Sequence, residues 1–268
     1  MQRVYLTLAA IVRDQEHYVK EWLAFHHLAG YERFVIVLHK CTDGTEANLR
    51  ELPFQAGIHI HHVVNDEQFA QLGSYVWAIR NYGPFTKWMA FIDSDEFFFA
   101  TRHNDIKPVL EQYEQHGGIV GHWLEFGANN QVVRPEGLSI EAFTKRAADH
   151  HSCHQSFKTI LRPECFKKFR SPHLAETVPW TVTSDHRPVP DHWTWIGNRE
   201  PNYDVLRVNH YHVRSMEDWV ARWRRGNCND PNPAYNLGAN TFKGRDHGAV
   251  NDYCILRYAD RLRELLQI

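Results

Sequence analysis

Lys87-Trp88-Met89-Ala90-Phe91-Ile92-Asp93-Ser94-Asp95-Glu96-Phe97-Phe98-Phe99-Ala100 is the stretch on which the reading of this chain turns. The apolar run Trp88 to Ile92 has the length and composition of a buried strand in a parallel sheet. It stops on three acids within four residues, Asp93, Asp95 and Glu96, and turns apolar again at Phe97. Parallel sheets bind ligands at the carboxyl ends of their strands, so acids placed there face a crevice. If the chain stays extended, the carboxylates of Asp93 and Asp95 project to the same side. Two hard oxygen donors on one side suit Mg²⁺ or Mn²⁺, and such an ion neutralises a diphosphate. The competing reading is that the acids only end a strand and cap a turn. Three acids between two apolar runs are costly to bury without a partner, which favours the cation.

On the N-terminal side, Val4 to Val12 reads as a first buried strand. Arg3 and this run imitate a signal peptide, but Arg13-Asp14-Gln15-Glu16 follows instead of a small-residue cleavage site. Asp14 is the expected N-cap of an amphipathic helix to about Leu28, stopped by Gly30. Strand Phe34 to Leu38, the turn Lys40 to Thr45, helix Glu46 to Leu52, strand Ile58 to Val64 and helix Gln68 to Tyr82 lead to the acidic strand. A helix from Ile106 to His116 and a strand from Ile119 to Phe126 come after it. Strict alternation of strands and helices predicts an α/β fold with a mostly parallel central sheet covered on both faces. Beyond Gly127 the pattern becomes irregular. Strands are expected at Phe157 to Leu161 and Val205 to His212, a capping-box helix from Ser215 to Arg225, and a final helix from about Ala249 to Leu266.

The chain has 268 residues, 43% of them apolar, enough for a sizeable core. A formal charge of −2 gives no basic excess, which argues against nucleic acid as a partner. Five widely spaced cysteines without a C-x-x-C fit free thiols in a reducing compartment. No segment has the ~20 consecutive apolar residues of a membrane span. The motifs G-x-S-x-G, G-x-x-x-x-G-K-[ST] and G-x-G-x-x-G are absent, which disfavours serine hydrolysis, P-loop chemistry and dinucleotide binding.

A second constellation is Asn209-His210-Tyr211-His212 with Arg214-Ser215. His210 and His212 share one face of a strand, and either could give nitrogen to the ion held by Asp95, His210 ahead of His212. A structural histidine pair at a strand edge is the alternative. Arg214, Arg222, Arg224 and Arg225 bracket the helix that follows, and guanidinium forks suit phosphate oxygens. Arg214 is the nearest candidate diphosphate contact; a solvated basic helix face is the plainer explanation. His150-His151-Ser152-Cys153-His154 lacks the paired-ligand spacing of a structural zinc site and reads as a polar loop.

The stretches Ile11 to Glu16, Tyr18 to Leu23 and His26 to Gly30 resemble the opening of GT-A glycosyltransferases of the family 92 and family 2-like group. Trp88 to Phe97, Trp123 to Gly127, Lys158 to Pro163, and His210-Tyr211 through Arg225-Gly226 are similar to that group's later motifs, in the same order. Asp14 stands where the group usually has Asn, and Leu38-His39 replaces an acid that often follows the second strand.

The resemblance implies a single GT-A domain over 1–268, with a nucleotide-sugar half at 1–127 and an acceptor half at 128–268. It implies a metal-dependent hexosyl transfer from a nucleotide-diphosphate sugar, expected to be UDP-linked, to a saccharide or glycolipid acceptor. Asp93, Asp95 and His210 are the expected ligands of Mn²⁺ or Mg²⁺; Asp14, Asp43, Asp93 and Arg214 are expected on the donor. Glu21-Trp22 is expected to pack at the donor-side helix. Inversion is expected, with Glu125 as base and Asp191 as its alternative; Glu176 and Asp185 lie in the same irregular region. A cytoplasmic setting, peripheral to the inner membrane face, is the family-level expectation for polysaccharide synthesis. The alternatives are a sugar nucleotidyltransferase and a non-catalytic sugar-binding module.

Overall fold

The computed structural model describes residues 1–62, 70–190, 201–226 and 239–268. Four parallel strands form one half of the main sheet: β1 (Val4–Val12), β2 (Arg33–Leu38), β3 (Gly57–His62) and β4 (Thr86–Phe91), side by side as β3-β2-β1-β4. Their Val, Ile, Leu and Phe side chains are buried on both faces of β1 and β2, as continuous apolar strands of a parallel sheet require. Strand Phe157–Leu161 then inserts antiparallel between β4 and β6 (Gly118–Glu125), and Leu206–His210 adds parallel to β6. Strand β5 (Glu96–Ala100) closes the edge antiparallel to Leu206–His210. The α/β architecture is as expected: a mostly parallel sheet carrying an antiparallel insertion. Strands from both sides of residue 127 share this one sheet.

Helix α1 (Val19–Leu28) packs on it through Trp22, Leu23 and Phe25, all fully buried. Asp14 is not its N-cap. The residue sits at φ +46°, whereas an N-cap is extended, and the helix begins five residues later on a turn closed by the Gln15 carbonyl. Helix α2 (Thr45–Arg50) and helix α3 (Ala70–Tyr82) follow the expected order. Two expected helices shorten. Ile106 to His116 becomes a helical turn at Lys107–Leu110 and a 3₁₀ turn at Glu111–Tyr113, where the Tyr113 hydroxyl is drawn in to the Ser184 carbonyl at 2.7 Å. The last helix is confined to Ala259–Leu266, because Asp252 is tethered by Arg146 Nε at 2.8 Å and Arg207 Nη2 at 2.7 Å. The helix Met216–Arg225 has the expected capping box between Ser215 and Asp218.

One buried histidine couples α1 to the acidic segment. His26 is fully buried; its Nδ1–H donates to the Trp22 carbonyl at 2.7 Å and its Nε2 accepts from Phe98 N at 3.2 Å. Burial therefore keeps the ring neutral and pushes its pKa down from 6.5 to about 3. A depressed histidine contributes stability above its unfolded pKa and loses it as pH falls toward its folded one. Between pH 6.5 and 3 this residue should cost about 1.4 kcal/mol per pH unit, and His26→Gln should flatten the urea-midpoint profile in that window. An unchanged slope would show that His26 is not the acid-sensitive group.

Candidate active site

Parallel strand direction brings the carboxyl ends of β1, β2, β4, β6 and Leu206–His210 to one edge of the sheet. Asp14, Asp43, Asp93, Asp95, Glu125, His210 and Arg214 all lie just beyond or at those ends. Three of the residues at this edge adopt left-handed φ without being glycine: Asp14 (+46°), Lys40 (+53°) and Arg214 (+53°). Such conformations cost of the order of 1–3 kcal/mol each and gather where function over-determines the backbone.

The two acids of the D-x-D segment diverge. The chain leaves the strand after Phe91 and turns at Ser94-Asp95, so the same-side projection expected of an extended chain does not occur. The turn is closed by Glu96 N donating to the Asp93 carbonyl at 3.1 Å, with Asp93 N donating to Glu96 Oε2 and Tyr211 N to the Asp95 carbonyl, both at 2.8 Å. Asp93 Oδ1 accepts from Gln71 Nε2 at 2.6 Å, while its Oδ2 accepts from the fully buried Lys158 Nζ at 2.8 Å. Lys158 Nζ also lies 3.4 Å from Glu96 Oε2. Burial pushes the Glu96 carboxyl up to about 8, against the pull of Lys158. Glu96 thus holds the turn, and Asp93 is the ion-pair partner of Lys158.

Asp95 is the centre of a different group. Its Oδ2 accepts from Arg222 Nη1 at 2.7 Å and its Oδ1 lies 3.7 Å from His210 Nε2. Burial opposes ionisation there, but Arg222 and then His210 hold the Asp95 carboxyl well below the usual range. One donor atom each from Asp95, His210 and His212 falls within 4.8 Å of the others. His212 was the secondary expectation; the structure places it beside His210, ring centroids 5.2 Å apart. Burial and then Arg222 hold His212 neutral, the form that ligates a metal. A carboxylate with two imidazoles fits Mn²⁺ better than Mg²⁺, which prefers oxygen.

Glu125 reaches the site without being free in it. Buried at the end of β6, its Oε2 accepts from His210 Nδ1 at 2.8 Å. Burial alone would lower His210, yet the Glu125 and Asp95 carboxylates override it and raise the imidazole to about 10. Such a carboxylate–histidine pair fixes the ring, so Glu125, expected as the base, is engaged by an imidazole here. Asp191, the alternative base, lies outside the described residues.

Arg214 is buried, stacked over the Tyr18 ring at 3.8 Å, and donates to Gln15 Oε1 (2.9 Å) and the Ser94 carbonyl (3.1 Å). It therefore braces the acidic turn, and its buried Nε has no hydrogen-bond partner among the described residues. Arg225 Nη1 donates to the carbonyls of Arg13 (2.8 Å) and Asp14 (2.7 Å). Burial and then the charges of Arg222 and Arg214 push the Arg225 guanidinium down to about 10. Three guanidiniums crowd one another at this edge and concentrate positive charge there.

Asp14 and Asp43 shape the outer rim. Asp14 Oδ1 accepts from Thr42 N at 2.7 Å; Asp43 accepts from Thr45 N and Glu16 N, both at 3.0 Å. Their carboxylates converge with Cys41, but these backbone bonds already hold them, so they rigidify the two loops. Glu21 accepts from Ser139 N (2.8 Å) and Ile140 N (3.1 Å), and Trp22 Nε1 donates to the Glu96 carbonyl at 2.8 Å. Helix α1 thereby buttresses the acidic segment. The roles of Lys158 and Arg222 were missed. A lone lysine in the apolar strand F-K-T-I-L was the available signal for the first.

A family model described as glycosyltransferase family 92 matches residues 3–230. A glycosyltransferase family 92 protein of Ricinus communis is 22% identical over 228 residues, covering 82% of this chain. One of Arabidopsis thaliana is 22% identical over 232 residues, again with 82% covered. The chain spans 37% of the length of these curated relatives. Among solved structures, S. aureus TarS 1–349 is similar at 15% identity and a TM-score of 0.41, covering 60% of this chain and 48% of TarS. Its complex with UDP-GlcNAc is similar at 12% identity and a TM-score of 0.42, covering 80% and 61%.

Proposed function

Because this chain belongs to glycosyltransferase family 92, we propose that it transfers a hexose from a UDP-linked sugar to a saccharide or glycolipid acceptor with the help of a divalent cation. The observation that carries this reading is the convergence of Asp95, His210 and His212 beside Arg214, Arg222 and Arg225 at the carboxyl ends of the sheet. In the proposal Asp95, His210 and His212 hold Mn²⁺. The ion, when bound, neutralises charge on the departing nucleoside diphosphate.

The chain's own groups do the rest. Glu125 keeps the proton on His210 Nδ1, so that Nε2 is the atom that would turn its lone pair to a cation shared with Asp95. His210 holds its second proton up to about pH 10 in the ion-free site, so loading releases that proton and tightens as pH rises. Arg222, the most exposed partner of Asp95, can swing to phosphate oxygens when the cation takes the carboxylate. Arg225 and Arg214 stay anchored and fix the field. With Glu125 engaged by His210, an inverting course leaves deprotonation of the acceptor hydroxyl to an acceptor-side acid, for which Asp191 is the candidate.

Free thiols at Cys41, Cys153, Cys165 and Cys254 support a reducing, cytoplasmic setting in this proposal. No helix among the described residues is long and apolar enough to cross a membrane.

Mn²⁺ together with UDP-hexoses should raise the melting temperature well beyond either alone, and UDP should be released when acceptor is supplied. A panel of nucleotide sugars that leaves the melting curve unmoved with Mn²⁺ would overturn the donor-site reading. Turnover that persists in EDTA would remove the cation from it.

A further inference from the structure

The five-residue tract His150 to His154 reads from sequence as a polar loop, because no paired ligand lies at zinc-like spacing. The fold supplies the missing partner from a distant segment. His151 caps the 3₁₀ turn Ser152–Gln155, its Nδ1 accepting from Cys153 N at 3.3 Å and lying 2.9 Å from Cys153 Sγ. The His247 ring faces His151 with centroids 4.5 Å apart. One donor atom from each of His151, Cys153 and His247 lies within 4.8 Å of the other two.

We propose that His151, Cys153 and His247 form a second cation site, for a thiophilic divalent ion of the Zn²⁺ class, separate from the Asp95 group. Metal–sulfur and metal–nitrogen bonds of about 2.3 and 2.0 Å put tetrahedral N···N and S···N pairs roughly 3.3–3.5 Å apart, so the 4.8 Å spread of these donor atoms needs only a small contraction. One thiolate and two imidazoles select a borderline-soft ion, whereas the carboxylate-bearing Asp95 group suits Mn²⁺. On binding, the Cys153 S–H proton leaves to solvent and the sulfur lone pair forms the metal bond; no electrons are transferred. His154 lies close, its Nδ1 3.7 Å from the same sulfur, but that nitrogen accepts from Glu125 N at 3.4 Å. Water takes the fourth position.

The site's place in the fold gives it a task. Asp246 Oδ1 accepts from Ala128 N at 2.6 Å, and a Cβ on Gly127 would lie 1.9 Å from the His247 carbonyl. The backbone around His247 is therefore pressed onto the chain just past Glu125. An ion joining His247 to the 151–153 turn would staple both segments to the end of β6, where the acceptor half begins.

The test uses the full chain, stripped with chelator and titrated with Co²⁺. A saturable thiolate-to-cobalt charge-transfer band is expected, displaced by one equivalent of Zn²⁺ and not by Mn²⁺. The band should be lost in Cys153→Ser and in His247→Gln and retained in Asp95→Asn. If Cys153→Ser does not fold, His247→Gln carries the same readout, since its ring lies in a loop. Absence of the band in the wild-type chain, or its survival in His247→Gln, would overturn the proposal.

Discussion

Asp95→Asn is expected to lower the rate of sugar transfer about 100- to 1,000-fold, the effect of losing roughly 3–4 kcal/mol of charge stabilisation at the leaving diphosphate. The substitution keeps the shape of the side chain and its carbonyl can still accept from Arg222, so the fold should persist. What it removes is the one anionic donor of the Asp95–His210–His212 set. The melting-temperature increase produced by Mn²⁺ with UDP-hexose should vanish, while any increase from UDP alone through the arginines should remain. His210 would also lose one of the two carboxylates that hold it protonated, so its titration should move down from about 10, readable by NMR. An Asp95→Asn protein that keeps wild-type turnover and the full Mn²⁺-dependent increase would show that this group is structural.

The largest stability effect is expected at Lys158. Its fully buried ammonium lies between Asp93 and Glu96, and Lys158→Met leaves both carboxylates without their cation. Removing one partner of a buried ion pair costs about 3–5 kcal/mol. The dependence on pH follows from Glu96, whose pKa is raised from 4.5 to about 8 in the folded protein. A raised folded pKa gives stability that is complete below the unfolded value and lost as pH rises through the folded one. Without Lys158 the Glu96 pKa climbs further, so the deficit of Lys158→Met should be smallest near pH 5 and grow above pH 8. Denaturant midpoints across that range measure it, and Glu96→Gln in the Lys158→Met background should recover part of the loss at high pH. A deficit that is flat with pH would separate Lys158 from Glu96.

Much of the framework was legible because it is locally encoded. Apolar runs set β1, β2 and β4; the Ser215–Asp218 box sets the start of the helix Met216–Arg225; and strand direction alone puts Asp95, His210 and Glu125 at one edge. The errors were also local in form. Asp14 has the composition of an N-cap but sits at a left-handed φ, tied to Thr42 across the sheet. Asp93 and Asp95 look like a two-residue alternation, yet the chain between them turns.

Sequence alone determined the α/β platform, the acidic strand end and the histidine pair, because each depends on periodicity and neighbours within a few positions. Tertiary structure decided which charge meets which. Asp93 finds Lys158 across 65 positions, Glu125 finds His210 across 85, and Asp95 finds Arg222 across 127. The physical reason is the insertion of Phe157–Leu161 between β4 and β6 and of Leu206–His210 between β6 and β5. Buried charges must be paired, and strand order, which no local pattern encodes, selects the partner. That choice turned the D-x-D segment from two like ligands into two acids with separate partners, Lys158 for one and Arg222 with His210 for the other.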